Sequence, residues 1–340
     1  MKKLIGIILI VILCFSMIAL VACNDKSGDE GEQNLPTDNG SDATDDQTPP
    51  QPPPLKEYER VNENGVDYIY FGSAYQKAVS ADLNNALSNL LATNQLTPNE
   101  KGLYLYNGVE YKAVTIVEDT ADRKLSNGLT TEQDKTYFFA KSDLKWKILE
   151  EKDGKALLLS DGVLGEYYFN AEESYNSLGY LNGTANVAND YAVSALQKYL
   201  NEQLANEIFT EAELQIITTK NVINSPASTA YPETAVTSFS NDKLFPLSYA
   251  ELTNPNYGLI VEDGFVMGVP LNDYQIAIGQ TATYIANARG YYTSWWLRSN
   301  GKSLTNGSVV TYNGRYGTAM NNSLPLSDLS GLRVAIEITL

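Results

Sequence analysis

From Glu57 to the C-terminus, apolar residues come in short alternating or near-continuous runs separated by turn dipeptides. Asn-Gly or Asp-Gly pairs stand at Asn64-Gly65, Asn107-Gly108, Asp153-Gly154, Asp263-Gly264 and Asn313-Gly314. Such pairs tolerate the positive φ that a type I′ turn demands, so between β-rich flanks they predict two-residue hairpins. The clearest flanks are Leu103–Tyr106 into Val109–Lys112, Trp146–Leu149 into Ala156–Leu159, and Ser308–Tyr312 into Arg315–Thr318. Helical spacing is scarcer. Ser80 is placed to cap a helix through Leu83, Leu87, Leu90 and Leu91, and Asp190 to start one that aligns Val193, Leu196, Leu200 and Leu204. Thr210–Glu213 and Ser248–Glu251 have the form of capping boxes. Thr281–Ala288 is expected to be helical and to stop at Gly290. Strands around a few helices predict an α+β domain rather than alternating β-α-β units. Residues 57–140 are expected to form its N-terminal layer.

The first 56 residues have a different pattern. Lys2-Lys3 precede an apolar run from Leu4 to Ile18 that ends in Leu20-Val21-Ala22-Cys23, the layout of a secretory signal closed by a bacterial lipobox. On this reading residues 1–22 are a cleaved signal peptide. Cys23 becomes the diacylglyceryl-modified first residue, and the partner of this end of the chain is a lipid bilayer. Leu4 to Ala22 is also long enough for an uncleaved span. Both readings put everything after Cys23 outside the cytoplasmic membrane, because the lysines hold the N-terminus inside. Residues 23–56 are acidic and small, then proline-rich (Pro49 to Pro54), with no apolar periodicity. They are expected to be a disordered tether, leaving 57–340 as a single globular domain. The location implied is the outer face of the cytoplasmic membrane of a Gram-positive cell.

Composition narrows the chemistry. The chain has no histidine, and its two cysteines, Cys14 and Cys23, both fall in the leader and anchor. Ser-His and Cys-His nucleophiles, Cys/His zinc sites and disulfides are therefore absent from the domain. Catalysis would rest on carboxylates, Lys, Tyr, Ser and Thr. No cofactor motif is present; a hard cation such as calcium stays open, since oxygen ligands are plentiful although no EF-hand spacing occurs. A net charge of −17 excludes nucleic acid as a natural partner, because like charges repel. Tyrosine is enriched, with 23 residues against nine Phe and three Trp. Tyrosine suits both half-buried strands and the recognition of sugars or peptides.

The C-terminal third carries the most distinctive residues: Trp295-Trp296-Leu297-Arg298-Ser299, then Gly331-Leu332-Arg333-Val334-Ala335-Ile336. With Tyr70–Ser73 and Tyr75-Gln76, Lys145–Leu149 and Ala156–Ser160, Leu196–Asn201, Phe209–Glu213 and Asp242–Ser248, they follow an order that resembles the bacterial family called domain of unknown function 6273. Ala74 departs from the Tyr-Pro-Gln usual in its opening strand. The resemblance implies a fold related to C-type lectins and sulfatase-modifying factors. It does not imply their chemistry: the modifying enzymes need active-site cysteines, and no lectin calcium-and-sugar motif occurs here.

Strand alternation puts Trp295 and Leu297 on one face, Trp296 and Arg298 on the other. One tryptophan is then expected in the core; Trp296 has a structural reading, packed under a loop, and a ligand-facing one, at a surface shared with Arg298, Tyr312, Arg315, Tyr316 and Asn321. The polar tracts Asn300–Asn306 and Met320–Ser323 would frame that surface. Arg298 and Arg333 also have a structural reading, as forks that fix loops. The function expected is an extracellular lectin-like binding or adhesion module for a glycan, peptide or host-surface ligand. A structural envelope lipoprotein and a polysaccharide hydrolase working through two carboxylates, drawn from groups such as Glu172-Glu173, Glu262-Asp263 and Asp273, are the alternatives.

Overall fold

The type I′ turns organise the N-terminal half of the folded region. In a computed structural model that describes residues 58–171, 188–260, 266–267, 269–281, 283–285, 290–312 and 317–340, the first hairpin joins β1 (Glu59–Glu63) to β2 (Val66–Ala78). The second joins β3 (Leu103–Tyr106) to β4 (Val109–Thr115), and the third β5 (Thr136–Lys152) to β6 (Lys155–Ser160). At each turn both central residues have positive φ, 52° and 83°, 49° and 77°, 52° and 73° in chain order. Three of the five predicted hairpins are thus in place. Asp263-Gly264 and the turn at Asn313-Gly314 lie outside the described residues.

The long strand β5 is the hub. Its first half pairs with β4, its second half with β6, and β2 runs along its other edge. Tyr137, Phe138 and Phe139 are consecutive and all buried, because both faces of the sheet are covered here. Phe138 packs in a small cluster with Leu87 of helix α1 (Ala81–Ala92), while Tyr137 and Phe139 join the main core. Ser80 caps α1 through the Leu83 amide, as the sequence predicts.

Next along the chain come β7 (Glu166–Tyr168), the hairpin of β8 (Lys220–Asn224) with β9 (Ser238–Asp242), β10 (Val266–Met267), β11 (Val269–Pro270), β12 (Thr283–Ile285) and β13 (Gly290–Thr293). The chain closes with β14 (Trp295–Asn300), β15 (Asn306–Tyr312), β16 (Gly317–Pro325), β17 (Leu329–Gly331) and β18 (Ala335–Thr339). A second sheet runs in the order β10-β16-β15-β14-β17-β7, and its β14–β17 pair is parallel. The last strand, β18, returns to β6 in the first sheet. The N-terminal hairpins therefore do not form a layer of their own: they share one sheet with the C-terminal strand. All the described residues fall in one compact unit, Pro52–Leu340, and strand outweighs helix, the mixed class expected.

Two helical expectations change. Asp190 caps only a 3-10 turn, Tyr191–Val193; the helical stretch proper starts at Ser194 as α2 (Ala195–Tyr199), widens into a π turn at Leu200–Leu204 and ends as α3 (Ala205–Ile208). Ser194 wins because its hydroxyl accepts the Gln197 amide, while Asp190 has only the Ala192 amide within reach. Within the described part of the segment after Thr281, Thr283–Ile285 is strand β12, paired with β13, and Gly290 opens that partner strand. The β-favouring Thr, Tyr and Ile there outweigh a loose helical spacing. The capping boxes at Thr210 and Ser248 open α4 (Glu211–Ile216) and α5 (Tyr249–Leu252), and a further box at Asn272 opens α6 (Asp273–Ala277).

Candidate functional site

The closing motifs are enclosed. All six residues of β14 are buried, on both faces, because β15 and β17 flank it and other segments cover it above and below. Trp296 is fully buried: its indole Nε1 donates to the Tyr167 carbonyl (2.8 Å) and its ring meets Phe169 edge-on at 5.7 Å. The expectation that Trp296 faces a ligand is corrected on this ground; alternation fails to expose a residue when both faces of a sheet are covered. Arg298 is likewise buried. One Nη donates to the Pro246 carbonyl (2.9 Å) and to Glu251, and its guanidinium lies over Phe245. Burial raises the pKa of Glu251, but the Arg298 charge and bonds from Arg298 and Ser248 outweigh it and hold the carboxyl below its usual range. Arg298 thus fixes the α5 loop against β14 rather than facing a ligand.

Of the remaining expected residues only the strand positions of two are described. Tyr312 and Asn321 lie on β15 and β16, which pair antiparallel. Arg315, Tyr316 and Cys23 lie outside the described residues, as do Glu172-Glu173 and Glu262-Asp263. Asn300 is buried and donates to the Tyr231 carbonyl (3.0 Å), so the start of its polar tract serves packing. Asp273 is consumed structurally: it accepts from the Ala78 amide (3.0 Å) and from the Ser126 amide and hydroxyl (both 2.6 Å).

Gly331 shows why the closing segment is so constrained. A Cβ there would sit 2.6 Å from the Ser294 carbonyl and 2.9 Å from Val163. Only glycine lets β17 approach β14 this closely.

An open site lies elsewhere. A cleft of about 430 Å³ is lined by β2 (Tyr75, Gln76), the β3–β4 hairpin (Glu110, Lys112), Lys141 of β5, α3 (Asn206, Glu207) and α6 (Tyr274), with Lys101 at its border. Tyr75 sits directly opposite Lys141 in the β2–β5 register, and the Lys141 ammonium stands over its ring at 5.4 Å. Lys112 stands over the Tyr274 ring at 4.8 Å. Each such contact contributes about 0.5–1 kcal/mol at a solvated site and orients both partners. None of Lys101, Lys112, Lys141, Glu110 and Glu207 joins an ion pair among the described residues. The local balance is cationic on an otherwise acidic molecule. The Tyr75 hydroxyl is buried and without a hydrogen-bond partner; burial first, and the nearby Glu110 charge second, push its pKa up, so it stays a protonated donor.

On β7 and α2, three half-buried tyrosines stack. Tyr167 lies between Tyr168 (4.2 Å) and Tyr199 (4.1 Å), and its hydroxyl donates to that of Tyr168. Burial pushes the Tyr167 hydroxyl pKa well up, and the hydrogen bond to Tyr168 adds to this. Sequence reasoning missed both features. The signal available was the tyrosine excess together with the Tyr75-Gln76 pair, which served only to place the opening strand.

Among the described residues no group of three or more His, Cys, Asp and Glu could hold a metal, and no helix is long and apolar enough to cross a membrane. No curated protein and no solved structure matches the chain. The model of the family described as Domain of unknown function (DUF6273) matches residues 153–340, more than half of the chain, and the chain belongs to that family.

Proposed function

We propose that this chain is a cell-surface lipoprotein whose folded part binds an acidic, polyhydroxylated ligand, a glycan carrying carboxylate groups, in the lysine–tyrosine cleft. The observation that carries the reading is the pair of lysine-over-tyrosine contacts lining one cleft, with the unpartnered Tyr75 hydroxyl beside them. Tyrosine rings offer flat faces for sugar C–H groups, and uncommitted ammonium groups match carboxylates. Lys2-Lys3, the apolar run and Leu20–Cys23 support diacylglyceryl anchoring, two acyl chains being enough for stable attachment. The Asp/Glu- and Pro-rich residues 23–56 would then hold the domain away from the bilayer.

A relation to the C-type-lectin and sulfatase-modifying-factor fold belongs to the same proposal. It is supported by the many short antiparallel hairpins and by the parallel pairing of the Trp295 strand with the Gly331 strand.

A glycan array probed with the mature protein tests the ligand class. Acidic oligosaccharides should bind and neutral ones should not, with signal lost in Tyr274→Ala. Labelled palmitate incorporation, abolished in Cys23→Ala, tests the anchor. A second reading, a carboxylate-based polysaccharide hydrolase, is favoured only by Glu110 and Glu207 sharing the cleft. Turnover of a bound oligosaccharide, abolished by Glu110→Gln or Glu207→Gln, would select it over binding alone.

A further inference from the structure

The two arginines of the closing motifs are not equivalent. Arg298 has a carboxylate at ion-pair distance; Arg333 has none so close, only Asp161 at longer range. Arg333 is only 7% exposed, yet of its five N–H groups only Nε–H is used, donating to the Ser160 carbonyl at 3.0 Å. Its guanidinium lies 5.2 Å from the Trp295 ring, and no acceptor meets either Nη among the described residues.

The sheet register brings a second cation to the same place. Tyr68 is opposite Lys147, Lys147 opposite Leu159, and Leu159 opposite Ala335. Directly paired residues share a face, as do residues two apart. Lys145, Lys147 and Asp161 therefore project to one side of the first sheet, and Arg333, just before β18, stands close enough for its charge to act on Lys147 and for that of Asp161 to act on it. Lys145 is already neutralised, by Glu63 at 2.6 Å, and it also draws Asp161 at 3.7 Å. Lys147 is not: its ammonium donates to the Gly258 carbonyl (2.8 Å) and has no carboxylate within ion-pair distance. Burial first, then the charge of Arg333, holds Lys147 below the usual lysine range against the pull of Asp161, and burial, opposed by Asp161 and Tyr68, brings Arg333 down to about 10. Two neighbouring cations, one of them a largely buried side chain whose Nη groups reach the surface without a protein acceptor, form an arrangement that an anion would complete.

We propose that Arg333 and Lys147 form a binding site for an oxyanion of the phosphate type, distinct from the lysine–tyrosine cleft. Two of its oxygens accept from the Arg333 Nη groups and a third from the Lys147 ammonium, with the Trp295 ring backing the guanidinium. Asp161, at ion-pair distance from Lys145 and acting at longer range on both Arg333 and Lys147, is the carboxylate an anion must compete with there. The phosphate is either free or part of an envelope polymer.

Isothermal titration of the purified protein with inorganic phosphate, and separately with a glycerol phosphate polymer, tests the proposal. Saturable one-site binding is expected, with a rise in Tm. Lys147→Met should keep the unliganded Tm and weaken phosphate binding about tenfold or more, while Arg333→Gln should abolish it. Lys112→Ala, in the cleft, should leave phosphate binding unchanged. Binding of the polymer that phosphate displaces assigns the site to envelope polymer; binding of phosphate alone assigns it to the free ion. Should Arg333→Gln fail to fold, Lys147→Met decides. Wild-type phosphate affinity in that variant, or no saturable binding by the folded protein, overturns the proposal.

Discussion

Strand β14 and the lysine–tyrosine cleft are built from the same materials, aromatic rings beside cations, and differ in what surrounds them. In β14 the indole N–H of Trp296 and one Nη of Arg298 are sealed and answered by carbonyls and a carboxylate, while Arg298 Nε is enclosed without a partner. In the cleft, Lys112 and Lys141 stand over tyrosine rings with no carboxylate partner. Enclosed charges need partners from the protein itself, whereas the ammonium groups at an open cleft keep theirs for water or a ligand. The tryptophan–arginine run is the most recognisable piece of the sequence because packing leaves it little freedom, and for the same reason it has little left to bind with. The inconspicuous Tyr75 and Lys112 are the ones available.

Substitutions can break this contrast. The largest effect is expected at Trp296→Ala, which empties a fully enclosed site and should cost about 3–5 kcal/mol in urea unfolding. Whatever fraction folds should bind the cleft ligand normally; lost affinity in folded protein would move Trp296 into the binding site. Glu251→Gln comes next. It leaves Arg298 buried without its carboxylate and should cost about 2 kcal/mol, and a variant as stable as wild type would contradict the account of Arg298. At the other extreme, Lys112→Ala combined with Lys141→Ala should change stability by no more than about 0.5 kcal/mol. Ligand affinity should nevertheless fall about tenfold or more. Equal losses of stability and affinity would erase the distinction between the two regions.

The β18 junction should respond to pH. Burial raises the pKa of Glu337, but bonds from Lys220, Lys155 and Thr218 outweigh it and bring the carboxyl to about 2 from its usual 4.5. Between these values the unfolded chain binds the proton that the folded chain refuses. The stability contributed by this group is therefore fully present above about 4.5 and is lost as pH falls toward 2. Replacing Lys155 and Lys220 with Met should flatten that part of the stability–pH curve, measured by thermal unfolding; an unchanged curve would discount the junction.

Local chemistry was legible in the sequence. The three described Asn-Gly and Asp-Gly turns, the Ser80 cap and the boxes at Thr210 and Ser248 depend on neighbours a few residues away, and they stand where the residues put them. Expectations that depend on what covers a strand fared differently. Alternation cannot tell that both faces of β14 are enclosed, nor that Thr283–Ile285 finds β13 as a partner. The cleft was harder still. It takes Tyr75 and Lys141 from the N-terminal hairpins and Tyr274 and Glu207 from the family-matched part, residues up to two hundred positions apart. No short window of sequence contains it.

The most direct test is calorimetric titration of the detergent-solubilised full chain with an oligogalacturonide, an acidic sugar polymer, against its uncharged reduced counterpart. Saturable binding of the acidic form alone, lost in Lys112→Ala/Lys141→Ala and retained in Lys147→Met, is the predicted result. Equal binding of both forms, or binding indifferent to the two cleft lysines, would contradict it.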